Sequence, residues 1–183
     1  MRNSATVLAD LYELTKPGIT GLVLVTTAVG FYLGASGGLG PVLLLNTLLG
    51  TGLLAGGTNA LNQYAERRVD ARMKRTKERP LPAGRLRPST ALLFSVGISV
   101  VGTLQLALAV NVLTAVLGAA ALIIYIFAYT PLKRRTPWCT LVGAVPGAIP
   151  PMMGWAAATG ELDALAWVLF GIVFFWQMPH FYA

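Results

Sequence analysis

Charge is scarce in this chain. Asp, Glu, Lys and Arg make up only 11% of its 183 residues, against about 25% in an ordinary soluble domain. Hydrophobic residues account for 55%, and mean hydropathy is +0.66. These values exclude a disordered chain, a collagen-like chain and an ordinary cytosolic domain. Cysteine occurs once, at Cys139, which excludes an intramolecular disulfide framework and any zinc site built from several thiolates. Histidine also occurs once, at His180. Acidic residues number seven against fourteen Lys and Arg, a net charge of +7. Charges this few act only where they cluster.

What the chain has instead is long uncharged stretches. Pro17–Ala65 (49 residues), Pro88–Leu132 (45), Thr136–Gly160 (25) and Ala164–Ala183 (20) contain no Asp, Glu, Lys or Arg. A helix needs roughly 20 mostly apolar residues to cross a bilayer, so the first two runs each hold two passes. The first breaks at the Gly- and Pro-rich Gly34–Pro41, the second more weakly around Asn111. The expected fold is all-α, a polytopic transmembrane helical bundle formed by one domain over residues 1–183. Its spans lie at about 18–36, 42–64, 89–110, 112–130, 138–159 and 164–183. The first span reads as a retained helix rather than a signal peptide. Its apolar stretch is too long, and Asp10 and Glu13 occupy the place of a basic leader. Met1–Lys16 is too short for a soluble domain.

The charges fall in two loops on one side of that layout. Glu66–Arg87 holds nine basic and three acidic residues, and Lys133, Arg134 and Arg135 form a second cluster. The alternate loops carry no positive charge. By the positive-inside rule, the N-terminus and both basic loops are cytoplasmic. No nucleic-acid partner is expected; the bilayer is the expected surroundings.

The second span leads into Asn-Gln-Tyr-Ala-Glu-Arg-Arg-Val-Asp, residues 62–70. Asn62, Glu66 and Asp70 are spaced four apart. On a helix each such step drifts only about 40°, so the three share one face, with Asn59 one turn earlier. Two carboxylates and an amide supply the hard oxygen ligands that suit magnesium, which keeps its remaining positions for water and phosphate. Nine basic residues surround the row, among them Arg67, Lys74, Arg75 and Arg79, and Lys133 and Arg134 approach from the other loop. Such a mixture of acid and base suits a diphosphate. From spacing alone the plainer reading is different: Glu66 and Asp70 pair with Arg67, Lys74 or Arg75 on a solvated helix end.

The stretch Asn59–Gly84 resembles the first aspartate-rich region of the intramembrane prenyltransferases of the UbiA superfamily, and most of all its haem-farnesylating branch. Asn62, Glu66 and Asp70 fill the pattern Asn-x-x-x-Asp-x-x-x-Asp, with Glu in the middle place. Glu13–Gly18, Tyr129–Thr136, Gly143–Pro151 and Trp176–Phe181 resemble the same family, in the same order. The resemblance implies a nine-span bundle around a membrane-open cavity, of which about six spans are present. It implies farnesyl diphosphate and haem B as substrates, haem O as product and Mg2+ as the metal. Glu66 and Asp70 are then the metal ligands, and Asn62 orients them or contacts the diphosphate. Arg67, Lys74, Arg75, Arg79, Lys133 and Arg134 are candidate diphosphate contacts. His180 either ligates haem iron or hydrogen-bonds at a helix end. A second aspartate-rich motif belongs to the pattern and is absent from Met1–Ala183, so this stretch alone is expected to be inactive. A bacterial-type inner membrane is the expected location. Two alternatives remain at this stage. One is a related enzyme prenylating a quinone or chlorophyll precursor; the other is a small cation-binding transporter.

Overall fold

A computed structural model describes residues 4–182 apart from Ser36, Leu39, Arg134, Arg135 and Pro137; the side chains of residues 4, 5 and 179–182 are also outside the description. Every regular element among the described residues is helical. They are α1 (Ser4–Leu14), α2 (Pro17–Gly34), α3 (Pro41–Asp70), α4 (Pro88–Ala109), α5 (Val112–Leu132), α6 (Cys139–Thr159) and α7 (Ala164–Tyr182). The second to sixth are long and apolar enough to cross a membrane, and α7 is apolar over Ala164–Met178.

Proline begins three of these helices. Pro17, Pro41 and Pro88 each stand at the start, where a missing N–H costs nothing and φ is already helical. Asn111 begins α5 by a different device: its side chain accepts the Thr114 N–H at 2.8 Å, which caps one of the unsatisfied donors.

The outer faces are apolar and exposed. Leu22, Val25, Leu93, Leu108, Val116, Phe127, Val168, Ile172 and Phe175 are all at least half exposed. In water such a surface would drive aggregation, whereas against lipid tails it is neutral. The chain is an integral membrane protein.

Helices pack where side chains are small, as expected when lipid removes the hydrophobic drive between them. On α3, Gly57 lies against Ser99 of α4, and Gly102 of α4 lies against the Gly50 and Leu54 backbone. On α2, Gly30 meets the Pro151 backbone of α6, and Gly154 of α6 meets the Thr27 carbonyl and Phe31 amide. The most enclosed span is α6, with 67% of its apolar window buried against 17–33% for the others. It also carries Pro146, Pro150 and Pro151 in its interior. Each proline frees a carbonyl one turn back, which a helix tolerates in a bilayer only when protein surrounds it.

Two features position the polar end of the bundle. At 30 residues, α3 is about 45 Å long. The hydrocarbon core is about 30 Å thick, so the last turns of α3 extend past it. The segment after α3 then folds back as a series of turns, with Leu81 and Leu86 buried against Leu14, Ala60 and Ala91. Arg85 ties the same segment to α1, bonding to Asp10, to Glu13 at 2.6 Å and to the Glu78 carbonyl at 3.0 Å. Near its end α5 widens into a π-helical turn over Ile124–Tyr129. Such turns recur at functional sites, and spacing did not signal this one.

Candidate active site

Asn62, Glu66 and Asp70 lie on one face of α3, and all three are buried. The helix extends past the expected end at residue 64 through Asp70, which keeps the row in register. Three cations from three separate segments converge on it. Arg79 donates to Asp70 Oδ2 at 2.8 Å. Lys133, at the end of α5, reaches Glu66 Oε1 at 3.4 Å. Lys16, from the corner between α1 and α2, donates to Asn62 Oδ1 at 3.3 Å.

The other half of the Asn62 amide is also held. Its Nδ2 donates to Thr130 Oγ1 at 3.2 Å, and that hydroxyl donates to the Tyr125 carbonyl at 2.8 Å. The acceptor is a carbonyl inside the π-helical turn. The amide therefore has one satisfactory orientation, oxygen toward Lys16 and nitrogen toward α5.

Below this cluster lies an apolar cavity between α2, α3, α5 and α6. Its walls include Val23, Leu54, Gly118, Tyr125, Pro146 and Met153. Asn59 and Thr51 also line it; they are eight residues apart on α3, which is about 12 Å of depth. Asn59 stands one turn from Asn62, so the polar cluster adjoins the Asn59 end of the cavity. The α6 prolines shape the far wall, and Gly147 makes room there for Gln177 of α7. Among the described residues that line the cavity the aromatic one is Tyr125, its ring 5.1 Å from that of Tyr129.

The remaining expected contacts fall elsewhere. The Arg67 guanidinium bonds to the Tyr64 carbonyl at 2.6 Å and covers the Tyr64 ring, so it is not brought to the carboxylates. Lys74 and Arg75 are exposed, and the structure brings neither to Glu66 or Asp70. Arg134 and the side chain of His180 lie outside the described residues. Sequence reasoning missed Lys16 and Thr130. A weak signal existed for the first, since it precedes a proline and such positions favour extended or corner conformations.

The donor set fits magnesium. No cluster of three or more His, Cys, Asp or Glu occurs among the described residues, so an all-protein cage is not on offer. Two buried carboxylates one turn apart are what Mg2+ requires when water and phosphate oxygens complete its shell. Glu66 Oε2 and Asp70 Oδ1 accept no hydrogen bond among the described residues.

Lys16 is the strained member. Burial lowers its pKa from the ordinary 10.5 to about 8; the Arg79 charge lowers it further, and Glu66 and Asp70 oppose the shift. Below about pH 8 the ammonium is charged in the folded and unfolded chain alike, and its desolvation counts fully against folding. Between pH 8 and 10.5 the unfolded chain holds the proton more firmly, so this group's contribution to stability rises with pH. Lys16→Met is therefore expected to melt above the wild type at pH 7 in detergent. The gap should close as pH passes from 8 to 10.5, and a gap independent of pH would contradict the assignment.

Known proteins supply independent information. The model of the UbiA prenyltransferase family matches residues 23–183. Protoheme IX farnesyltransferase of Solibacter usitatus (strain Ellin6076) is 51% identical over 185 residues, which covers 96% of this chain and 63% of that protein. The protoheme IX farnesyltransferase of Myxococcus xanthus (strain DK1622) is 53% identical over 178 residues, 97% of this chain and 60% of that protein. That of Cyanothece sp. (strain PCC 7425 / ATCC 29141) is 44% identical over 177 residues, 96% and 55% respectively. The chain thus spans 55–63% of the length of these relatives. No solved structure matches it.

Proposed function

The chain belongs to the UbiA prenyltransferase family, and on that premise we propose that it is part of an enzyme that transfers the farnesyl group of farnesyl diphosphate to a vinyl group of haem B, giving haem O. One observation supports this above the others. Cations from three separate segments meet two buried carboxylates and a fixed amide beside one end of an apolar cavity. A plain solvated helix end would have paired Glu66 and Asp70 with Arg67, Lys74 or Arg75 on its own surface. The partners come instead from Arg79 and Lys133.

In this reading the cavity takes the farnesyl chain and the polar cluster takes the diphosphate. Glu66 and Asp70 would hold Mg2+, which when bound supplies positive charge to the diphosphate oxygens. Arg79 and Lys133 add fixed positive charge on the same side, where negative charge grows as the carbon–oxygen bond breaks. The allylic cation left behind lies below, among apolar walls that exclude water. Tyr125 offers it an aromatic face. The haem vinyl group attacks the cation, and water then adds at the vinyl carbon with loss of a proton, completing the hydroxyethylfarnesyl side chain. The basic loops carry the cluster, and by the positive-inside rule the site opens to the cytoplasm of a bacterial-type inner membrane.

The test has two arms. A non-reactive farnesyl diphosphate analogue is expected to bind the purified enzyme with Mg2+ and to be released by chelation. Haem B, but not a quinone-type acceptor such as 4-hydroxybenzoate, should then be farnesylated by the full-length protein, as read by mass spectrometry. Binding indifferent to metal would argue for a transporter-like cation site, and prenylation of the aromatic acid would reassign the substrate.

A further inference from the structure

This inference rests on the prenyl-diphosphate reading above. We propose that Lys16 is a further diphosphate-binding residue, its ammonium group held beside the Asn59 end of the cavity by the α1–α2 corner and donating to the diphosphate beside Arg79 and Lys133.

The corner is built rather than incidental. Among the described residues Lys16 is the only non-glycine with positive φ, at 48°, a conformation that L-residues adopt at a cost and keep only when their surroundings impose it. Here α3 imposes it. Buried Gln63 donates to the Leu14 carbonyl at 2.9 Å. Buried Asn59 donates to the Thr15 carbonyl at 3.4 Å and to Thr20 Oγ1 at 3.2 Å, and that hydroxyl donates to the Thr15 carbonyl at 2.8 Å. Pro17 stiffens the exit. The face of α3 that carries Asn62 and Glu66 therefore also fixes the backbone on which Lys16 stands.

What the corner delivers is a cation without an anion of its own. The only described bond of the ammonium is a long one to a neutral amide oxygen. The two carboxylates nearby are engaged by Arg79 and Lys133. Among the described residues the charged groups acting on Lys16 are Glu66 and Asp70, against Arg79 and Lys133. Within that described set, Lys16 included, one positive charge is left over in a partly buried place. An unmatched charge drawn from water is costly unless a partner completes it. The surplus and one magnesium ion together match the charge of a fully ionised prenyl diphosphate. Asn62 then acts as a positioning residue. Fixed by Thr130 and the Tyr125 carbonyl, it presents its oxygen to steady the ammonium until the diphosphate arrives.

Two experiments on the full-length enzyme test this. In the first, lysines of the wild-type protein are reductively methylated with Mg2+ present, with and without inorganic diphosphate, and read by mass spectrometry. Diphosphate is expected to slow labelling of both Lys16 and Lys133 severalfold and to leave exposed Lys77 unchanged. Protection of Lys133 without Lys16 overturns the present inference alone. Protection of neither overturns the prenyl-diphosphate reading itself. In the second, Lys16→Met should raise the KM for farnesyl diphosphate about tenfold or more, the loss of one charge-assisted hydrogen bond. The KM for haem B should be unchanged, and Lys16→Arg should restore most of the loss. A Lys16→Met enzyme with wild-type KM for farnesyl diphosphate overturns the proposal.

Discussion

Replacing Asp70 by alanine in the full-length enzyme is expected to lower haem O formation by roughly a thousandfold or more, the scale on which loss of one charge-stabilising group acts at a reacting centre. Asp70 is 4% exposed, and Glu66, the other acid of α3, already has its own place in the proposed metal site, so α3 holds no spare carboxylate to replace it. The fold should survive the change. The turn after α3 is held by the Asp70 backbone carbonyl, which accepts the Thr76 hydroxyl at 2.9 Å, and not by the side chain alone. Arg79 loses its partner but is partly exposed, so water can take over. Asp70→Asn keeps the shape and removes the charge, and should fail almost as badly. Lys77→Ala, on an exposed pair with Glu78, should be silent. Haem O measured by mass spectrometry, against the amount of protein in the membrane, decides the matter; near-normal product from Asp70→Ala would remove the metal-site assignment.

The second large effect is on stability. Gly154→Ala is expected to destabilise the bundle by about 3 kcal/mol or more, at the upper end for overpacked cores. A methyl group there would overlap the Thr27 carbonyl and the Phe31 amide. These are backbone atoms and cannot swing aside, so α2 and α6 would have to part. Gly30→Ala strikes the same seam from the other side, against the Pro151 backbone. Gly147→Ala is the control within α6: its methyl group would meet the end of the Gln177 side chain, which can move. Gly97→Ala on α4 has open space and should stabilise slightly, since alanine favours helix by up to about 1 kcal/mol. Melting in detergent would rank the four, and a Gly154→Ala protein as stable as Gly97→Ala would contradict the packing.

The sequence made some of this legible and not the rest. Asn62, Glu66 and Asp70 could be placed on one face because helical period is a local property, and nothing distant had to be known. Choosing among the cations was not local. Arg67 is one residue from Glu66 yet turns back to Tyr64. Arg79 is nine residues from Asp70 and meets it because Leu81 and Leu86 dock the returning segment. Lys16 was invisible as a site residue because its role needs a left-handed corner and a contact 46 residues away. Gly143 and Gly147, in one of the stretches that resembles the family, lie against Tyr129 and Gln177. The tighter seam through Gly30 and Gly154 depends on which helices become neighbours, and apolar runs carry little of that information.

That seam bears on how the chain is made. Neighbours α3 and α4 can zip together as soon as both have emerged, since little chain separates them. By contrast, α2 leaves the ribosome long before α6, and its closest partner is not yet synthesised. In turn α6, with three prolines and freed carbonyls, is a poor candidate to sit alone among lipids. The Thr27–Phe31 surface of α2 is the one against which its Gly154 face packs. Substitutions along Gly30 and Gly154 should therefore show first as lost protein during synthesis, before any finished enzyme can be assayed.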